Sequence, residues 1–168
     1  MFKPVLLALI IVLASCAPTM QSSQAVTPYN VKEGPILVAA AGTRYVSYQI
    51  SQKSFGFNDD DFSRTKIQNP RVGKRSYRDV TARLVATNKS LPEGWAASLE
   101  SAHLIKEVKR VKRGRPSFSR WLTLTFEVSV PADAEPGEHR AKVLVSGEDG
   151  KEKTVTLKFA VETLRAER

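Results

Sequence analysis

Apolar and polar side chains alternate with a period of two through most of the chain, and this pattern constrains the fold more than any other feature. The clearest example is 119–130, whose apolar positions are Leu122, Leu124, Phe126, Val128 and Val130. Successive side chains of a strand point to opposite faces of a sheet, so the pattern predicts a strand with one buried face. The one helical candidate, 99–112, is weak because its valine spacing is unfavourable and it lacks caps.

The same alternation recurs between turn signals along the whole of 36–168. The predicted strands are 43–50, 77–87, 95–105, 118–130, 138–146 and 152–162. Sequences such as Pro92-Glu93-Gly94 and Pro136-Gly137 separate them and are typical of turns. Hydrophobic residues make up 42% of the chain, which is enough for one domain with a core. Six or seven such strands predict an all-β, antiparallel β-sandwich.

Two segments of the C-terminal half resemble a known kind of domain. Leu91-Pro92-Glu93-Gly94-Trp95 is followed by a long strand and then by Pro131-Ala132-Asp133-Ala134-Glu135-Pro136-Gly137-Glu138-His139. Over about 80–162 the chain is similar to the immunoglobulin-like domains that accompany bacterial surface proteins and secreted glycosidases, although His139 stands where that pattern usually has Tyr. The resemblance implies an accessory or binding module without enzymatic activity. A single cysteine excludes an internal disulfide.

The first 16 residues have the organisation of a secretory signal. Met1-Phe2-Lys3-Pro4 is a short basic segment, and Val5 to Leu13 is an apolar run of nine residues. Nine residues are too few to span a bilayer, which takes about 20, but they suit a signal peptide over 1–15. Leu13-Ala14-Ser15-Cys16 resembles the lipobox of bacterial lipoproteins. That resemblance implies a diacylglyceryl group on the Cys16 thiol and cleavage before this residue.

Residues after Cys16 are expected to form a tether. The segment 16–35 is rich in Ser, Thr, Gln and Pro and has no sustained periodicity, which predicts disorder. A lipid-anchored protein of the bacterial cell envelope is therefore expected. Because Ala17 rather than Asp follows the cysteine, the resemblance favours the outer membrane if the organism has one. The alternative for Cys16 is a buried cysteine of a core helix or an uncleaved signal anchor.

Residues that could carry chemistry are few. His103 and His139 are the only histidines, and His139 falls on the inward face of a predicted strand, where a packing role is expected. The acidic run Asn58-Asp59-Asp60-Asp61 lacks the spacing of a calcium loop and is expected to be a solvated turn. We therefore predict a non-enzyme with no catalytic residues, no metal site, no cofactor and no small-molecule substrate.

Positive charge is concentrated in two stretches, 62–78 and 104–120. Together they hold 13 basic residues and one acidic residue, while the formal charge of the whole chain is +9. Successive strands that run up and down place both stretches at one end of a sandwich, facing away from the membrane. A candidate basic patch for an anionic polymer or an acidic protein follows; it consists of Arg71, Lys74, Arg75, Lys109, Arg110, Lys112, Arg113 and Arg115.

Three interpretations of the function remain open at this stage. The first is a membrane-anchored, non-catalytic binding or scaffolding module. The second is a structural or assembly subunit of an envelope complex that joins its partners through edge strands. In the third, the chain is a small envelope enzyme. For the basic stretches themselves, the alternative is solvated loops whose charge confers only solubility.

Overall fold

The computed structural model describes residues 28–29, 35–63 and 66–162, which form nine strands and no α-helix. Three short 3₁₀ segments, Gln52–Phe55, Asp60–Phe62 and Thr81–Arg83, lie between strands. The strands are β1 Pro28–Tyr29, β2 Ile36–Ala39, β3 Thr43–Ile50, β4 Arg75–Asp79, β5 Leu84–Ser90, β6 Ala96–Lys112, β7 Arg115–Ser129, β8 Gly137–Gly147 and β9 Glu152–Glu162.

The strands form two sheets with the pairing orders β1-β3-β7-β6-β4 and β2-β9-β8-β5. Neighbouring strands are antiparallel except β1–β3 and β2–β9, which are parallel. The orders β3-β7-β6 and β9-β8-β5 correspond to strands B-E-D and G-F-C of the immunoglobulin arrangement. The predicted all-β, antiparallel β-sandwich is therefore confirmed, with short additional strands at its edges.

The core lies between the two sheets and is built from the predicted apolar positions. Leu122, Leu124 and Phe126 of β7 are fully buried, as are Val155 and Leu157 of β9. Burying one such side chain contributes about 1.5–3 kcal/mol relative to leaving it exposed. The alternating pattern of β7, β8 and β9 thus decides which face of each strand is inside.

The predicted strand 77–87 is wrong, because two strands of different sheets occupy it. β4 ends at Asp79 and pairs with β6, whereas β5 begins at Leu84 and pairs with β8. The Asp79 carboxylate accepts hydrogen bonds from the backbone N–H and the hydroxyl of Thr81 and stabilises the turn between them. Val80 and Leu84 are both buried where the chain crosses between sheets, so the apolar alternation continues through the turn.

The connection between β3 and β4 closes one end of the sandwich. Phe55, Phe57 and Phe62 of this loop are at most 2% exposed and extend the core. Gly56 has a φ of +80°, and a Cβ there would lie 2.1 Å from the Asp149 carboxylate. The loop is therefore packed tightly against the β8–β9 turn, which sequence periodicity alone did not predict.

Two described residues of the predicted tether pair with the sandwich. Pro28 and Tyr29 pair with Ser47 and Tyr48, in the second half of β3. β3 itself begins at Thr43, opposite Ser129, so the first of the predicted strands starts at the end away from the β6–β7 turn. Of the rest of 16–35, only Pro35 belongs to the described residues. Cys16 and the predicted signal peptide lie outside them.

Candidate functional site

Both basic stretches meet at one end of the molecule. Val108 of β6 exchanges hydrogen bonds with the loop before β4, accepting from the Gly73 N–H and donating to the Lys74 carbonyl, each at 2.9 Å. The β6–β7 turn lies at Arg113, five residues further along the same strand. Arg71, Lys74 and the hairpin end therefore lie at the same end, as the candidate patch requires.

The end of the β6–β7 hairpin projects beyond the sheet as a two-stranded ribbon. β3 covers β7 only as far as the pair Ile50–Leu122, and β4 begins opposite Glu107. Residues 109–117, here called the arm, pair only with each other, and all of them except Pro116 are exposed. At about 3.4 Å per residue the arm reaches roughly 15 Å past Val108.

Five cations lie on the arm with no acid among them. They are Lys109, Arg110, Lys112, Arg113 and Arg115. None of them forms an ion pair with any residue in the described part of the chain. A register shift between Val108 and Arg110 leaves Lys109 without a partner on β7. A shallow pocket of 380 Å³ is lined there by Lys109, Arg110 and Ser117. The arm thus presents concentrated, uncompensated positive charge to solvent.

The turn at the end of the arm holds Arg113 in an unfavourable backbone conformation. Arg113 and Gly114 have φ values of 49° and 73°. Positive φ at both central residues is what a two-residue type I′ hairpin turn requires, and Asn-Gly or Gly-Gly is the usual choice. An arginine in this conformation costs about 1 kcal/mol. Turn geometry alone therefore does not account for an arginine at the tip.

The three remaining residues of the candidate patch differ from one another. Arg75 is ion-paired: its Nε lies 2.6 Å from the Glu107 carboxylate, and its guanidinium lies 5.8 Å from the centre of the Trp121 ring. The Lys74 ammonium donates to the Gln68 carbonyl. Arg71 is exposed and has no ion pair with the residues that the structure describes. Arg75 is therefore the one predicted patch residue whose charge is largely compensated.

A second set of basic residues has the opposite environment. Arg83 lies 2.7 Å from Asp61 and 2.8 Å from Glu148, and Arg78 lies 3.8 Å from Asp61. Arg120 lies 3.5 Å from Asp59. We call these six residues the ion-pair cluster. It joins the β3–β4 loop to the sandwich, and the Arg83 guanidinium also lies 4.6 Å from the Phe57 ring.

Asp61 departs from the expectation of a solvated turn, although Asn58, Asp59 and Asp60 of the same run are exposed. Its side chain is only 14% exposed and accepts a hydrogen bond from the Asn58 N–H. Burial disfavours the charged carboxylate, but hydrogen bonds from Arg83 and Asn58 and the charges of Arg83 and Arg78 outweigh it and lower the pKa of Asp61. The carboxylate therefore fastens the loop in place.

The two histidines have structural surroundings. His139 packs against Trp95, with ring centres 5.3 Å apart, and its Nε2 lies 2.7 Å from the Glu135 carbonyl. His103 pairs in register with Asp79 on the outer face of the sheet. Among the described residues, no group of three or more His, Cys, Asp and Glu side chains could hold a metal ion.

Sequence reasoning missed three features of this end of the molecule. The phenylalanines of the β3–β4 loop were not recognised as core, although their clustering was a signal. Gly114 indicates a tight turn, but the sequence does not indicate that Arg113 also has a positive φ. Val72 and Val111, which are exposed beside the arm's cations, carry no periodic signal.

Among the described residues, the structure also contains no helix long and apolar enough to cross a membrane.

Comparison of the chain with models of known protein families, with curated proteins and with solved structures finds no match.

Proposed function

We propose that this chain is a lipid-anchored protein of the bacterial cell envelope whose immunoglobulin-like domain is a non-catalytic binding module. The arm is its binding element, and its ligand is anionic. One observation carries the proposal: five cations occupy an exposed ribbon and have no ion pair with the described residues. An assembly of uncompensated cations favours anionic ligands and speeds their encounter.

The arm's shape supports binding rather than solubility as its role. Charges that serve solubility need no projecting scaffold, and the arm contributes little to the core because it lies beyond the last buried position of β6, Val108. The strained backbone at Arg113 points the same way, since a neutral residue would make a better turn. The arm therefore contributes little to the stability of the domain, and we infer that its role is binding.

Retention on a heparin column over a salt gradient tests the arm. The binding variant replaces Lys109, Arg110, Lys112 and Arg113 by Ser. Its matched control replaces four exposed cations of the other sheet by Ser; these are Lys89, Arg140, Lys142 and Lys153. Both variants lose four positive charges, so a difference between them reflects where the charges lie. We expect the arm variant to elute at much lower salt than the control. Equal elution of the two variants would refute the proposal.

Substitution of Cys16 by Ser tests the anchor separately. The lipobox supports lipid attachment at this thiol, so the variant is expected to remain an unlipidated precursor that is not shortened. Membrane fractionation with mass determination checks this outcome. A membrane-bound, shortened form of the Cys16→Ser variant would contradict the proposal.

A further inference from the structure

Exposed apolar side chains accompany the cations at the arm end of the molecule. The structure describes six large hydrophobic residues that are exposed, and two of them lie here: Val72 at 67% and Val111 at 38%. Single exposed apolar residues are common on protein surfaces. Two of them beside five uncompensated cations are more than a purely ionic binding site needs.

The arm has one apolar and one cationic face. Val111 pairs with Pro116, and Val108 pairs with Phe118 on the same face; the next pair on that face is Lys106 with Arg120, before buried Leu122 of the core. Arg110, Lys112 and Arg115 fall on the opposite face by strand alternation. Val111 and Pro116 thus make one face of the arm apolar.

Val72 lies beside this apolar face. It belongs to the turn Arg71–Lys74, which is closed by a hydrogen bond from the Lys74 N–H to the Arg71 carbonyl at 2.9 Å. The next residue, Gly73, bonds to Val108, three residues before Val111. Aliphatic side chains and cations are therefore grouped at one extremity.

We propose, as an extension of the proposed function, that the anionic ligand of the arm is a lipid surface. Val72 and Val111 enter the boundary between headgroups and acyl chains, where aliphatic side chains are stabilised. Lys and Arg of the arm bind lipid phosphates, because cations are attracted to the negative surface of an anionic membrane.

Other occupants fit the arm less well. A polysaccharide or a nucleic acid satisfies the cations but gives Val72 and Val111 no apolar medium. A second copy of the chain places five cations against five, and such repulsion opposes association. An anionic bilayer alone meets both the charge and the aliphatic side chains.

The predicted anchor and the arm can engage one bilayer. The pairing of Tyr29 with Tyr48, and of Tyr48 with Leu124, places β1 nine residues along β7 from Arg115, or about 30 Å. Twelve residues separate Cys16 from Pro28 and span at most about 40 Å. The anchor is long enough to let the arm reach the membrane that holds it.

Vesicle co-sedimentation tests the inference on the chain from position 16 with Cys16→Ser, so that no acyl chain contributes. One set of vesicles is phosphatidylcholine alone, and the other contains equal parts of phosphatidylcholine and phosphatidylglycerol. The test variant is Val72→Ser with Val111→Ser. The matched control is Leu37→Ser with Val85→Ser, which changes two exposed apolar residues distant from the arm.

We expect binding to the anionic vesicles only, and an approximately tenfold weaker partition for the Val72→Ser, Val111→Ser variant, with the control unchanged. Heparin elution of that variant should remain that of the parent, because its charges are intact. Parent-like vesicle binding by the variant overturns the inference, as does retention on heparin without binding to anionic vesicles; the latter leaves the proposed function standing. Failure on both heparin and vesicles refutes both.

Discussion

The arm and the ion-pair cluster are both rich in arginine, yet their electrostatic environments are opposite. In the cluster, Arg83 has carboxylates within 2.8 Å on two sides, and Asp61 is 14% exposed. On the arm, five cations have solvent around them and no acid among the described residues in contact. The difference separates two uses of positive charge: the cluster holds the β3–β4 loop to the domain, and the arm is directed outward. Substitutions should therefore change stability in one region and binding in the other.

The largest effect on stability is expected from Asp61→Asn. The substitution leaves Arg78 and Arg83 without their shared carboxylate in a partly buried site, which should lower the free energy of unfolding by about 2 kcal/mol. Urea denaturation measures the change, and Asp133→Asn is the control because Asp133 is exposed. Heparin elution should stay as in the parent. An equal loss of stability in both variants would contradict the structural role of the cluster.

The pH dependence of stability sharpens this result. The pKa of Asp61 is lowered in the folded protein, so its stabilisation is fully present above the unfolded value of about 3.9 and is lost as the pH falls through the folded value. The difference in unfolding free energy between the parent and Asp61→Asn should therefore shrink in acid. Denaturation series at neutral and acidic pH measure it. A difference that grows in acid would show that the pKa of Asp61 is raised instead.

Arg113→Asn should have a smaller and opposite effect. Asparagine suits the first position of a type I′ turn, so the variant should be more stable by about 1 kcal/mol while it elutes earlier from heparin. Lys112→Asn removes the same charge outside the two central turn positions and is the matched control. It should elute earlier without gaining stability. A loss of stability in Arg113→Asn would show that the backbone of Arg113 is not strained in the parent.

The smallest change in stability is expected for the arm variant, although its heparin binding should change strongly. Replacing Lys109, Arg110, Lys112 and Arg113 by Ser should leave the unfolding free energy within about 0.5 kcal/mol of the parent, because these side chains are exposed and unpaired with the described residues. Urea denaturation at low salt checks this. A loss as large as that of Asp61→Asn would make the arm a structural element.

Much of the fold followed from local patterns because burial on one face of a strand imposes a period of two. β7, β8 and β9 were predicted within three residues of their ends, and their apolar positions are the buried ones. The crossing between sheets at Val80 was not predicted, because the turn keeps its apolar side chains buried and so preserves the alternation. Phe57 and Phe62 are core residues that lie in a loop, where no periodic pattern indicates burial.

The sequence by itself determined an all-β sandwich, two basic stretches and, through its resemblance to the lipobox, the expected anchor at Cys16. Charged residues can be counted in the sequence, whereas their ion pairs depend on distances between side chains in the folded chain. Only the tertiary structure decided that Arg78 and Arg83 pair with Asp61 while the arm's cations remain uncompensated. The physical reason is that ion pairs such as Arg83–Asp61 join positions 22 residues apart, here in two 3₁₀ segments, which tertiary folding brings together and local sequence does not.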